Sequence, residues 1–358
     1  FFYTHTPQYP IPLRLVGSEM CIRDSYLPII CGISGTELSN EEIKFFEQYK
    51  PWGVILFERN CSDINSIKRL TADLKEINHI NLPILIDQEG GRVSRLNLDN
   101  IKKFKTSDFF GKLIEQNFDL GLRLLELNSI MMASTLKELG INSNTIPVLD
   151  LPANEESGII GDRAYSTNEN IVSAAGKVVI KTLTSNGVAP IMKHIPGHGK
   201  AKVDSHLEMP MVDADEILLE KYDFKPFTEN AEAQLAMTAH IKFNKIDSDN
   251  IATFSKTIIN KVIRQHMKFK GLLMTDDLSM KAVDCEPVNA AVKSLDAGCD
   301  LVLHCNGNIN EMNMIAERIK EEFKPITIPS AIEAIYDQPV SMHMDKAESE
   351  FEYLLSQA

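Results

Sequence analysis

Three of the nine histidines in this chain fall between Lys193 and Pro210, in a stretch that also carries Asp204 two positions before His206. An imidazole with a carboxylate beside it can move a proton near neutral pH or help hold a metal ion. Other residues fit for chemistry stand apart from this stretch. They are Asp87-Gln88-Glu89-Gly90-Gly91-Arg92-Val93-Ser94-Arg95, Asp150, Gly161-Asp162-Arg163, His240 and the pair Asp276-Asp277. Taken singly, most have a plainer reading. Asp87 and Asp150 can cap loops, Gly90-Gly91 can serve a tight turn, Arg163 can be half of a surface ion pair and His240 can be a satisfied core histidine. Asp276 resists such a reading, because Leu272-Leu273-Met274-Thr275 runs straight into it and a buried carboxylate without a partner is costly.

These residues share a position. From Tyr26 onward, short apolar runs alternate with helix-length amphipathic segments, and the polar groups stand where the apolar runs end. The runs read as strands at Pro28–Ile33, Trp52–Phe57, Leu82–Ile86, Asn144–Leu149, Val188–Met192, Gln234–Ala239, Gly271–Thr275 and Asp300–His304. Between them lie helices such as Ser39–Tyr49, opened by a Ser39/Glu42 capping box, and Asp63–Ile77, whose Ile67, Leu70, Leu74 and Ile77 recur at helical spacing. Strands alternating with helices imply a parallel sheet, and about eight units imply an α/β fold closed as a single-domain (β/α)8 barrel. In such a barrel the strand ends converge on one face, where active sites are built. No GxGxxG opens the first helix, so nothing favours an open dinucleotide-binding sheet.

Composition narrows the chemistry. Fifty acidic residues against 37 basic ones leave a formal charge of −13, which repels nucleic acid and anionic membranes over most of the surface. A small-molecule substrate is the expected partner. No stretch approaches the roughly 18 apolar residues of a membrane span. Residues 1–25 form a segment apart: Leu15 to Ser25 resembles one reading frame of a transposase-type sequencing adapter, so it is expected to be non-native, with the original start overwritten near Tyr26. The remaining cysteines, Cys31, Cys61, Cys285, Cys299 and Cys305, are odd in number and lack a CxxC pair, which implies a reducing cytoplasmic setting. The barrel is expected over residues 26–325. Residues 326–358 should form a tail whose acidic helix Glu348–Leu355 packs on the outside of the barrel.

Two reaction types and one binding role can use this set. A metal-dependent hydrolase would activate water on a bound ion, but it calls for tight ligand spacings such as HxH or HExxH, which the sequence does not offer. A glycosidase would use Asp276 to attack an anomeric carbon and the Asp204/His206 pair to handle the proton, with no metal or organic cofactor. A sugar-binding module would keep Arg163 and Lys193 without needing that pair.

Four motifs, Asp87-Gln88-Glu89-Gly90-Gly91-Arg92-Val93, Lys193-His194-Ile195-Pro196-Gly197-His198-Gly199, Asp204-Ser205-His206 and Asp276-Asp277-Leu278-Ser279-Met280, stand in one order along the chain. In this the chain from about Tyr26 to Asn306 resembles the bacterial β-N-acetylglucosaminidases of glycoside hydrolase family 3. The resemblance implies Asp276 as the nucleophile, His206 as the general acid/base and Asp204 as its orienting partner. It further implies that Asp87, Arg95, Arg163, Lys193 and His194 bind N-acetylglucosamine and that no cofactor or metal takes part; separately, a monomer is the expected state. The implied substrate is N-acetylglucosamine linked β-1,4 to 1,6-anhydro-N-acetylmuramic acid, with or without a peptide. Phosphorolysis by relatives that also use histidine is the alternative chemistry. His198, set between two glycines, is read as shaping its loop.

Overall fold

A computed structural model describes residues 25–78, 80–152, 160–198 and 210–358. Its strands are β1 (Leu27–Gly32), β2 (Pro51–Leu56), β3 (Ile84–Ile86), β4 (Ser143–Asn144), β5 (Ala189–Ile195), β6 (Met211–Val212), β7 (Leu235–Thr238), β8 (Lys242–Phe243), β9 (Leu272–Asp277) and β10 (Leu301–His304). Eight of these close into a parallel barrel in the order β1-β2-β3-β4-β5-β7-β9-β10, with β10 returning to β1. The fold is therefore the (β/α)8 barrel that the alternation implies. β6 and β8 form a separate parallel pair that the apolar pattern did not suggest.

The barrel strands are buried on both faces along most of their length, which is why most of them read as apolar runs. The period of two survives inside the barrel. Ile29 and Cys31 of β1 face the helical layer while Ile30 faces the interior, and Val54 and Leu56 flank Ile55 in the same way. Trp52, Leu85, Ile191, Leu235, Met274 and Leu303 fill the interior with them. Helices form where anticipated. Ser39 and Glu42 make the reciprocal capping box of the helix Asn40–Tyr49, and Asp63 caps Ile64–Ile77.

Two departures have physical causes. β4 stops at Asn144 instead of Leu149 because Pro147 has no N–H to give to a ladder. The chain nevertheless stays beside β5, since Leu149 donates to the Lys193 carbonyl at 2.7 Å and so delivers Asp150 to the barrel mouth. The second departure lies in residues 326–336. Ile326 pairs with Tyr26 ahead of β1, and Ile328, Ile332 and Ile335 join the barrel interior, closing its N-terminal end. Beyond them the helix Met344–Leu355 lies on Phe118–Glu138, with Phe351 against Phe110 at 6.3 Å and Arg123 bridging to Glu350 at 2.6 Å.

Candidate active site

The C-terminal ends of the strands surround a cavity of about 210 Å³ as bounded by the described residues. That is below the ~300–1,000 Å³ of sites for drug-sized ligands and suits a single sugar ring. Asp87, Arg95, Arg163, Lys193, His194 and Asp276 all line it, so six of the eight residues singled out for chemistry or binding meet in one place. Asp204 and His206 lie outside the described residues. Phe57, Met237, Met280 and Leu303 supply apolar wall.

The loop after β3 is shaped by its own glycines and glutamine. Gly90 (φ +104°) and Gly91 (φ +59°) both sit in the left-handed region, and a Cβ on Gly90 would stand 2.2 Å from the Lys105 carbonyl oxygen. Only glycine meets both demands. The Gln88 side-chain oxygen accepts from the N–H groups of Arg95 and Leu96, at 3.0 and 3.2 Å, which folds the loop back and returns Arg95 to Asp87. Arg92 then ties this loop to the next through Asp162 at 2.8 Å and the Ile160 carbonyl at 3.2 Å. That bridge brings the short turn Gly161–Arg163 over the cavity.

Inside, the charges form one chain of pairs. Arg95 donates to Asp87 at 3.0 Å, and Lys193 reaches Asp87 at 3.0 Å, Glu89 at 2.7 Å and the Thr145 hydroxyl at 2.8 Å. Arg163 grips both oxygens of Glu89 at 2.8 Å. This is a bidentate fork, the most directional pairing a guanidinium makes. Arg163 is thus no loose surface ion, since its partner Glu89 is 2% exposed. Burial pushes the Asp87 and Glu89 carboxyls up, but Lys193 with Arg95 or Arg163 more than reverses this. Asp87 ends well below the usual carboxylate range and Glu89 at about 2. The cations are held by carboxylates before any ligand arrives; all three N–H groups of Lys193 are taken by Asp87, Glu89 and Thr145, while the remaining N–H groups of Arg95 and Arg163 are preset donors for hydroxyl or amide oxygens.

Glu89 and Asp150 stand among the polar strand-end residues noted in the sequence, but neither was assigned a role in the site. Two cations set in a buried cavity require carboxylate partners, and Glu89, two residues past Asp87, was the available one. Asp150 lies 2.6 Å from His194 Nδ1. Burial lowers the basicity of His194 and raises Asp150 to about 6, so near neutral pH a neutral ring donates Nδ1–H to a carboxylate. Nε2 is left as an acceptor at the cavity. The Lys193–His194 peptide is cis, and both side chains face the same cavity. His198, read as a loop-shaping residue, stands in the cavity wall with its ring 5.5 Å from that of His194.

The two neighbouring carboxylates of β9 differ. Asp277 is occupied: its carboxylate accepts from the N–H groups of Ser279 at 3.0 Å and Cys305 at 3.1 Å, and from the Ser279 hydroxyl at 2.6 Å. Asp276 accepts one hydrogen bond among the described residues, from the Asp277 N–H at 2.8 Å to Oδ1. Oδ2 of Asp276 is therefore the carboxylate oxygen available to attack a bound molecule.

Removing Glu89 should expose the network's energetics. Glu89→Gln leaves Arg163 without its partner, at a cost of about 3–5 kcal/mol for breaking a buried pair. The acid dependence has a definite sign. Because Glu89 titrates at about 2 when folded and about 4.5 otherwise, its contribution is complete above 4.5 and is lost as pH falls from there towards 2. Thermal midpoints measured across that window should fall for the wild type, whereas Glu89→Gln should start lower at neutral pH and fall less. Parallel curves would contradict this account.

Comparison with known proteins agrees with the geometry. Residues 25–333 match the Glycosyl hydrolase family 3 N terminal domain. The chain is 35% identical over 258 residues to a beta-hexosaminidase of Hydrogenovibrio crunogenus, covering 71% of each. It is 30% identical over 331 residues to that of Methylobacillus flagellatus, covering 88% of this chain and 94% of the relative. The structure of NagZ from Neisseria gonorrhoeae in complex with N-trifluoroacetyl-D-glucosamine superposes with a TM-score of 0.79 at 26% identity, over 93% of this chain and 97% of that one.

Proposed function

The chain belongs to glycosyl hydrolase family 3, and from that premise we propose that it is a retaining exo-β-N-acetylglucosaminidase with Asp276 as its nucleophile. One observation carries this reading. Asp276 presents a carboxylate oxygen that takes no hydrogen bond among the described residues to a sugar-sized cavity in which Asp87, Glu89, Arg95, Arg163 and Lys193 are already paired with one another. The names of its relatives, beta-hexosaminidases and a NagZ solved with an N-acylglucosamine, support the choice of sugar.

In this mechanism the sugar is held by Asp87, Arg95, Arg163, Lys193 and His194. Asp87 accepts from hydroxyls, Arg95 and Arg163 donate, Lys193 keeps Asp87 and Glu89 ionised and in place, and His194 offers its acceptor nitrogen. Asp276 attacks the anomeric carbon as the glycosidic C–O bond breaks, and the His206 imidazolium gives its proton to the leaving oxygen. Neutral His206 then takes a proton from water as that water displaces Asp276, and the second inversion restores the β configuration. Asp204 orients the ring and stabilises its cation, much as the aspartate does in a serine-protease triad. A histidine suits the task because a third carboxylate beside Asp276 and Asp277 would suffer like-charge repulsion. The natural substrate class is N-acetylglucosamine β-1,4-linked to 1,6-anhydro-N-acetylmuramic acid, free or carrying a peptide. The free thiols of Cys31, Cys61, Cys285, Cys299 and Cys305 fit a reducing cytoplasm as its site of action.

Turnover of 4-nitrophenyl β-N-acetylglucosaminide, followed by NMR of the first-formed sugar, tests this reading. The β anomer should appear first, at a rate that EDTA leaves unchanged. The α anomer would overturn retention, and sugar 1-phosphate formed in phosphate buffer would reassign the enzyme as a phosphorylase.

A further inference from the structure

His240 has no part in the chemistry above, yet it is buried two residues past β7, beside the nucleophile strand. Its Nε2 lies 3.1 Å from the Asp277 carbonyl oxygen and its Nδ1 lies 2.8 Å from the Thr253 hydroxyl. A carbonyl can only accept, so Nε2 carries the proton. Burial lowers the basicity of the ring, which makes it neutral and leaves Nδ1 to accept from Thr253. The Thr253 oxygen in turn lies 2.8 Å from the Thr238 hydroxyl, so the bonds run in one direction from Thr238 through Thr253 and His240 to Asp277. The Ala239 carbonyl competes for the Thr253 proton only at 3.2 Å.

Asp277 is the residue this chain reaches, and Asp277 also carries Asp276. Its carboxylate is pinned by Cys305 and Ser279, its carbonyl by His240, and its N–H holds Asp276 Oδ1. We propose that His240, oriented by Thr253 and Thr238, is a positioning residue that sets the aim of the Asp276 carboxylate by fixing the backbone of Asp277. The proposal rests on the reading of Asp276 as the nucleophile. It assigns a role in the reaction to a histidine that the sequence presents as ordinary core.

Two substitutions separate this role from simple packing. His240→Gln places an amide N–H near the position of Nε2 and keeps the reach to Asp277, while His240→Asn keeps the reach to Thr253 and loses Asp277. Each deletes one hydrogen bond, so a structural role predicts equal effects. The full chain is assayed on 2,4-dinitrophenyl β-N-acetylglucosaminide, whose leaving group needs no acid, with thermal midpoints taken in parallel. For a misaimed nucleophile, the expected result is a kcat about 10- to 100-fold lower in His240→Asn, with KM within about twofold and His240→Gln within about threefold of wild type. Equal losses in both variants, losses confined to KM, wild-type kcat in His240→Asn, or losses that follow the thermal midpoints would each overturn the proposal. Asp276→Ala, run alongside, keeps the two levels apart. If it turns over like wild type the nucleophile reading has failed, whereas an inactive Asp276→Ala beside a fully active His240→Asn fails the present inference alone.

Discussion

Asp276→Ala is expected to lower kcat/KM by about 10⁴-fold or more, the scale seen when a nucleophile is deleted from an otherwise intact site. The side chain is partly exposed at a strand end and accepts one hydrogen bond, so the substitution should cost little stability. Activity and folding can thus be separated by a thermal melt. Asp277→Asn provides the contrast. That carboxylate already serves Cys305 and Ser279, so its loss should slow the reaction indirectly, by about 10- to 100-fold, through a displaced Asp276. Azide adds a chemical readout. In the space left by Asp276→Ala it can attack the anomeric carbon of an activated aryl glycoside, giving the α-glycosyl azide by a single inversion. Wild-type turnover in Asp276→Ala, or a larger loss in Asp277→Asn, would remove Asp276 from the nucleophile's place.

The ease of picking Asp276 from sequence has a physical origin. Parallel barrel strands are buried on both faces, so β9 reads as a run of apolar residues and any carboxylate at its end stands out. The same logic made Asp87, Lys193 and His194 visible. It faltered at β4, where Pro147 broke the ladder that the apolar run Ile146 to Leu149 suggested. It was blind to the closing of the barrel by Ile328, Ile332 and Ile335, because three isoleucines on a short segment look the same whether they cover an outer helix or plug an interior. Partners were hardest to read. Glu89, Asp150 and Thr253 pair with Arg163, His194 and His240, and such pairings, 74, 44 and 13 residues apart in sequence, follow no fixed spacing that could be found. Charge bookkeeping was the usable signal for Glu89, since buried cations need anions wherever the chain supplies them.

The proton transfer leads to the other large effect. His206→Ala should reduce kcat/KM by about 10²–10⁴-fold for a disaccharide substrate, whose sugar alkoxide cannot depart unprotonated. The same variant should lose little in kcat/KM with a dinitrophenyl glycoside, because that leaving group departs as a stable anion. The second half-reaction sharpens the test. Displacing Asp276 by water still needs a base, so with the activated substrate the variant should accumulate glycosyl-enzyme. This appears as a burst of dinitrophenolate followed by a slow steady state, with a lowered KM. Azide, which needs no base, should restore the steady-state rate. Asp204→Asn should show the same pattern in milder form, since it misorients the imidazole without removing it. Equal losses for both leaving groups, without a burst, would place His206 in binding or structure and leave the proton to another group.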